Sequence, residues 1–249
     1  MKSSNPILDA RVFQNLEETQ QKMELQGVAN ITIFSIILLM ISTAFTWYTL
    51  ARTQLIVIIG IVVVSAIVSL IMTAALRDNR KLAPSLVHVF PIVQGIFFAS
   101  MAYAINRHYK GIIIQGIWLT YSTLFMLAII YKFQYTKPRN SASLKITVTL
   151  LAIGFVYGTN FFIRKFTNVQ IPYIHESSIA GIGFVLYAAI MAAYNLVLDF
   201  YFIAENTSDD APKYMEHYCA FALNFSLIWL YIDILFLVDK YRRRFRLKF

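Results

Sequence analysis

Hydrophobic positions along this chain come in long runs separated by short charged or polar punctuation, near 27 to 50, 54 to 76, 86 to 105, 111 to 131, 144 to 163, 178 to 203 and 218 to 238. Each run is about twenty residues, the length that a helix rising roughly 1.5 Å per residue needs to cross a hydrocarbon core roughly 30 Å thick. The pattern predicts an all-α integral membrane protein with seven transmembrane helices. A membrane barrel would show segments of about ten residues with strict in-out alternation, and IVIIGIVVVSAIVSLIM (Ile56 to Met72) does not alternate. The chain then divides into a polar N-terminal tail over 1–26, a seven-helix transmembrane domain over 27–239 and a basic C-terminal tail over 240–249. Connections are short and leave no room for an inserted domain. The first two runs are joined only by Ala51, Arg52 and Thr53, which predicts a tight helical hairpin. The third run carries Pro84 and Pro91 in its first half, where a kink or a late helix start is expected. Any such break must face protein or water, because lipid cannot satisfy freed backbone groups.

Composition agrees. Of 249 residues, 58% are hydrophobic and 14% charged, too little polar surface to cover a water-soluble globule of this size. The net charge of +9 raises nucleic acid as a partner, but Lys240, Arg242, Arg243, Arg244, Arg246 and Lys248 stand together just after the last hydrophobic run. A juxtamembrane cluster of this kind is drawn to anionic lipid by about 1 kcal/mol per basic residue, so the lipid surface is the expected partner and nucleic acid is not. Cys219 is the only cysteine, which excludes intrachain disulfides and cysteine metal clusters. Asp9, Glu17, Glu18 and Glu24 occupy the stretch where a signal peptide would need an apolar core, and none is expected. Orientation is contested. With the N-terminus cytoplasmic, ten basic residues fall on the inner tail and loops against five on the outer ones, as the positive-inside rule asks. Seven crossings would then put the basic C-terminal cluster outside. Either that tail outvotes the body or one hydrophobic segment does not fully cross.

A charge inside a span costs roughly 2.5 to 3.5 kcal/mol on insertion scales, so an acidic residue there is a candidate for function. Asp199 interrupts AAYNLVLDFYFI and Asp233 interrupts LIWLYIDILFLV. On the sixth run Ser178, Gly181, Val185, Ala188, Ala192, Asn195 and Asp199 form a helical stripe of mainly small and polar side chains. Cys219, Ala222, Ser226, Trp229 and Asp233 form one on the seventh. Such stripes let helix backbones approach closely, so each aspartate is expected to face protein. If the stripes face each other, the two carboxylates can share a proton and act as a pH-responsive latch. The alternative places Asp199 at the far interface, since it lies about 31 Å of helix beyond Ser178, with Asp233 deeper in its span. The connection ENTSDDAPKYMEH, with Glu205, Asp209, Asp210, Glu216 and His217, reads as a solvated loop or as a cation collector. His88, between the two prolines, reads as a structural hydrogen-bonding group or a proton relay, and Gln94 as a polar link between helices. Trp47, Tyr48 and Tyr131 suit interfacial anchoring. HExxH, GxSxG, Walker and dinucleotide-binding motifs are missing, and neither aspartate sits in a GxGD motif. No enzymatic activity, cofactor or bound metal is expected.

The opening SSNPIL (Ser3 to Leu8), APSLVHVFPIVQGIFFAS (Ala83 to Ser100) and above all LDFYFIAENTSDDAPKYMEHYCAFALNFSLIWLYIDIL (Leu198 to Leu235) resemble the Bax inhibitor-1 (TMBIM) membrane proteins, in their bacterial branch. The resemblance covers essentially the whole chain. It implies a helical bundle whose last helix is central, wrapped by the others and plugging a pore. It also implies a pH-sensitive gate to a calcium leak, formed by an aspartate on each of the sixth and seventh helices. Asp199 and Asp233 match those positions, with Asn195, Glu205, Gln94 and His88 as possible supporting residues. Departures are a Gln94 where the branch usually has Glu, an Asp233 where it often has Glu, and a longer connection between the two acids.

Two functional readings follow: a pH-modulated Ca²⁺ leak in a bacterial plasma membrane, or a non-conducting regulator of a membrane protease or of other membrane complexes. A proton-coupled transporter would be expected to show inverted repeats between halves, and none is convincing.

Overall fold

The computed structural model describes residues 5–13, 21–51, 53–106, 112–133, 148, 151–152, 155, 158, 179–206 and 211–245. Apart from those isolated positions, the predicted run from 144 to 163 lies outside the described residues. The described part is all helical. It holds α1 (Leu25–Leu50), α2 (Leu55–Asp78), α3 (Ala83–Asn106), α4 (Ile112–Lys132), α5 (Ile179–Asn206) and α6 (Tyr214–Phe245), with short 3-10 turns at Ala10–Phe13 and Arg80–Leu82. Among the described residues there is no strand, only an isolated bridge between Lys22 and Pro212. Helices α5 and α6 correspond to the sixth and seventh hydrophobic runs. Leu25–Leu50, Leu55–Asp78 and Arg80–Ile105 are long and apolar enough to cross a membrane. Their outer faces present Phe34, Ile41, Phe45, Ile56, Val64 and Leu70 to the surroundings, the surface that hydrocarbon would cover.

The chain does turn sharply between α1 and α2, where the Thr53 amide donates to the Leu50 carbonyl at 3.0 Å. The two helices nevertheless find their main common partner in α3, which packs against both. A tight connection constrains where the second helix starts; side-chain shape decides what it packs on. Here the seam between α1 and α3 is lined by small residues. A Cβ at Gly95 would lie 2.7 Å from Ser42 Cβ and 2.9 Å from the Leu39 carbonyl oxygen, so only glycine permits this approach of backbones.

Contrary to the expected late start, α3 runs from Ala83 through both prolines. Pro84 stands in the first turn, where a missing amide costs nothing because that amide has no acceptor within the helix. Pro91 lies inside the helix and leaves the Val87 carbonyl without its usual donor four residues on. Ser35 of α1 turns its hydroxyl to that carbonyl at 3.4 Å, and Ser42 donates to the Ile92 carbonyl at 2.7 Å. The freed backbone thus faces protein, as hydrocarbon surroundings require.

Helix α6 packs against α1, α3, α4 and α5. Every side chain from Tyr218 to Leu227 is buried, nearly three turns with no exposed face. Phe90 and Phe98 of α3 lie against Phe221 and Tyr231 of α6, with ring centroids 4.0 and 4.8 Å apart, and Tyr131 of α4 stacks on Phe200 of α5. The N-terminal segment joins this core. Ile7 and Leu8 are buried in it, and Phe13 meets Phe202 edge-on. At its other end α6 continues past the hydrophobic run, so Lys240, Arg242, Arg243 and Arg244 extend the helix, while Arg246 and Lys248 lie outside the described residues.

Substituting Gly95→Ala is expected to destabilise the protein by about 1 to 3 kcal/mol, despite alanine's better helix propensity, because the Leu39 backbone must move. Thermal unfolding in detergent measures this; an unchanged or higher melting temperature would show that the α1–α3 seam can spread freely.

Candidate functional site

Asp199 sits in the second half of α5 and is 1% exposed. Its neighbours Leu196, Val197, Phe200 and Ile203 are buried with it, whereas Ile190 and Tyr194 on the preceding turns are exposed. The helix therefore turns its aspartate face inward. Ser226 of α6 meets it, its hydroxyl donating to Asp199 Oδ2. Ser226 belongs to the small-residue stripe of the last hydrophobic run, so the two stripes do face each other at this level.

Ser226 is held in turn from a distant part of the chain. Asn5 Nδ2 donates to Ser226 Oγ at 2.8 Å and to the Ala222 carbonyl at 2.7 Å. The amide of Ile7 donates to Asn5 Oδ1 at 2.9 Å, an Asx turn that fixes which end of the Asn5 side chain is oxygen. Tyr218, two turns before Ser226, donates its hydroxyl to the Ile7 carbonyl at 2.9 Å, and Arg80 donates to the Val12 carbonyl at 2.8 Å. Asn5, Ser226 and Asp199 thus form a continuous buried chain of hydrogen bonds, linking the N-terminal segment to α5 through α6.

A second polar group lies where α1 and α6 begin. Glu216, almost fully buried in the first turn of α6, accepts the Glu24 amide at 2.9 Å and pairs with Lys213 at 3.3 Å. A Cβ on Gly27 would fall 2.2 Å from Glu216 Oε2, so the absence of a side chain at Gly27 makes room for the carboxylate. Backbone bonds from Met23 to Ala211 (2.8 Å) and from Lys213 to Gln21 (3.0 Å) complete a short strap. Helices α1 and α6 therefore start side by side at one end of the bundle.

A family model described as Bax inhibitor 1 like matches residues 5–243, nearly the whole chain and including the buried N-terminal segment. The chain belongs to this family. No curated protein and no solved structure matched it.

In this Bax inhibitor 1 like protein the predicted site residues fall at several levels. Asp233 lies on α6 seven residues beyond Ser226, about 10 Å further along the axis, and its side chain lies outside the described residues. Asn195 is half-buried one turn before Asp199, and Glu205 is exposed in the last turn of α5. Gln94 is fully buried and ties α3 to α6 by donating to the Asn224 carbonyl at 2.7 Å. The side-chain oxygens of Gln94 and Asn224 have no hydrogen-bond partner among the described residues. His88 is exposed near the start of α3, its ring edge-on to Phe34 (5.6 Å) and His217 (6.4 Å). Asp209 and Asp210 of the acidic connection lie outside the described residues. Among the described residues no cluster of three or more His, Cys, Asp or Glu side chains could hold a metal ion.

Asn5, Ser226 and Glu216 carry most of this polar architecture, and spacing alone did not single them out. Signals were nevertheless present: Asn5 stands in the opening SSNPIL, Ser226 on the stripe one step before Trp229, and Glu216 in the acidic connection. Replacing Ser226 with alanine removes one buried hydrogen bond each from Asp199 and from the Asn5 amide, which is expected to cost about 1 to 3 kcal/mol. Unfolding of Asn5→Ala, Ser226→Ala and the double variant should give a coupling energy of at least about 0.5 kcal/mol. Additive effects would show the Asn5–Ser226 bond to be energetically silent.

Proposed function

We propose that this Bax inhibitor 1 like protein is a pH-sensitive cation leak channel of a bacterial plasma membrane, with Ca²⁺ as the permeant ion and Asp199 and Asp233 as its gate. The reading takes the fold as a seven-helix bundle whose last helix is the central plug. The observation that carries it is the position of Asp199: a carboxyl group enclosed at the contact between α5 and α6, on stripes that bring Asp233 to the same pair of helices. A carboxyl placed there is costly, and its retention is reasonable if its protonation sets the spacing of the two helices. Carboxylate and carbonyl oxygens are hard ligands that suit a calcium ion in transit.

The common starting level of α1 and α6 supports the count of crossings. It calls for an even number of passages before the last helix, which agrees with six hydrophobic runs preceding it. The basic cluster from Lys240 to Lys248 would then lie on the membrane face opposite the N-terminus, against anionic lipid.

Purified protein in vesicles loaded with a calcium-sensitive dye tests the proposal. Wild type is expected to leak Ca²⁺ at a rate that changes severalfold between about pH 6 and about pH 8, the window in which a shared carboxyl proton would have to exchange. The Asp199→Asn and Asp233→Asn variants should lose that pH dependence, because an amide does not titrate. Equal, pH-independent leak in all three would remove the gate. Absence of flux altogether would instead favour a non-conducting regulator.

A further inference from the structure

We infer that the N-terminal segment, residues 5–13, is a latch on the Asp199 gate, with Asn5 as the positioning residue that wires it. The inference rests on the channel reading above and adds a regulatory element that spacing within the spans does not contain.

The argument begins with proton assignment. Asn5 Oδ1 is occupied by the Ile7 amide, so the group facing Ser226 is the amide nitrogen, which can only donate. Ser226 Oγ must therefore accept from Asn5, and its single hydrogen is left for Asp199. The bonds therefore run in one direction: Asn5 donates to Ser226, which donates to the carboxyl group. Asn5 also occupies the Ala222 carbonyl at 2.7 Å, which lies 3.4 Å from Ser226 Oγ; removing Asn5 frees that carbonyl to compete with Asp199 for the hydroxyl hydrogen.

The segment is also built to stay seated. Ile7 and Leu8 are buried, Tyr218 grips the Ile7 carbonyl, Arg80 grips the Val12 carbonyl and Phe13 rests edge-on against Phe202 of α5. It touches both helices that carry the aspartates, so withdrawing it loosens the α5–α6 contact and opens a path to Asp199 together. Surface-docked terminal segments of this kind are among the elements from which movable parts are drawn.

The test uses the full-length protein in calcium-dye vesicles, with hydrogen exchange of residues 5–13 followed on the same preparations. Two variants separate the parts of the claim: Asn5→Ala removes the wiring, and Tyr218→Phe loosens the segment without touching Asn5, Ser226 or Asp199. Both are expected to speed exchange over residues 5–13 and to raise Ca²⁺ leak severalfold at the pH where wild type is most closed. Both should also move the midpoint of the pH profile in the same direction, Asn5→Ala further, because an unseated segment takes its Asn5 with it; a loss of packing alone would leave the midpoint in place. Faster exchange with a wild-type leak, or a raised leak with an unmoved midpoint in both variants, would overturn the latch and leave the channel reading standing. If Asn5→Ala cannot be prepared folded, unchanged leak in a faster-exchanging Tyr218→Phe overturns it equally. No flux in wild type or in either variant at any pH would remove the channel reading, and the latch with it.

Discussion

Hydrocarbon offers no hydrogen bonds, so a polar group carried into this bundle is costly unless another part of the protein answers it. The structure can be followed from one such answer to the next. Pro91 frees the Val87 carbonyl, and Ser35 comes from the neighbouring helix to meet it. Gln94 spends a donor on the Asn224 backbone and so ties α3 to the enclosed α6. Asp199 takes the Ser226 hydroxyl, and Ser226 takes the Asn5 amide. Apolar side chains fill the space between, but they are nearly interchangeable with lipid tails as neighbours and cannot by themselves say which helix belongs beside which. Polar answers and small-residue seams do that.

This division explains what could be read in the amino-acid sequence. Long apolar runs mark helices because their cost of exposure is additive over about twenty residues, and all the described helices fall within a few residues of a run. The inward direction of Asp199 was also legible, because one helical stripe gathers Asn195 and Asp199 on the small-residue face. Partner choice was less so. The short link at Ala51 to Thr53 suggested that α1 and α2 would pair, yet Gly95 and Ser42 give α1 a closer fit on α3. A loop length says how far the chain can travel; only the facing surfaces say where it stops.

The N-terminal segment shows the same limit from another side. Ile7 and Leu8 are two apolar residues among polar ones, too short a run to register as a buried element. Their burial is in a core shared with residues of α6 some two hundred positions away, where Tyr218 holds the Ile7 carbonyl. Serine likewise ranks below aspartate when spans are searched for costly groups, so Ser226 passed as a spacer on its stripe. Its role comes from standing where three chain segments meet, and position in three dimensions has no one-dimensional trace. Glu216 was visible as a charge in an acidic connection; its enclosure needed Gly27, on a different helix, to leave room for it.

The bonds from Asn5 to Ala222 and Ser226 span 217 and 221 residues of chain. A ribosome delivers the N-terminal segment first and the last helix at the end, so for nearly the whole of synthesis the Asn5 amide cannot reach Ala222 or Ser226. Docking of the opening residues is therefore a closing step of assembly, one that can occur only after the final helix has taken its place among the others. Until the last helix is in place, Asp199 is carried in the bilayer without the Ser226 hydroxyl that donates to it.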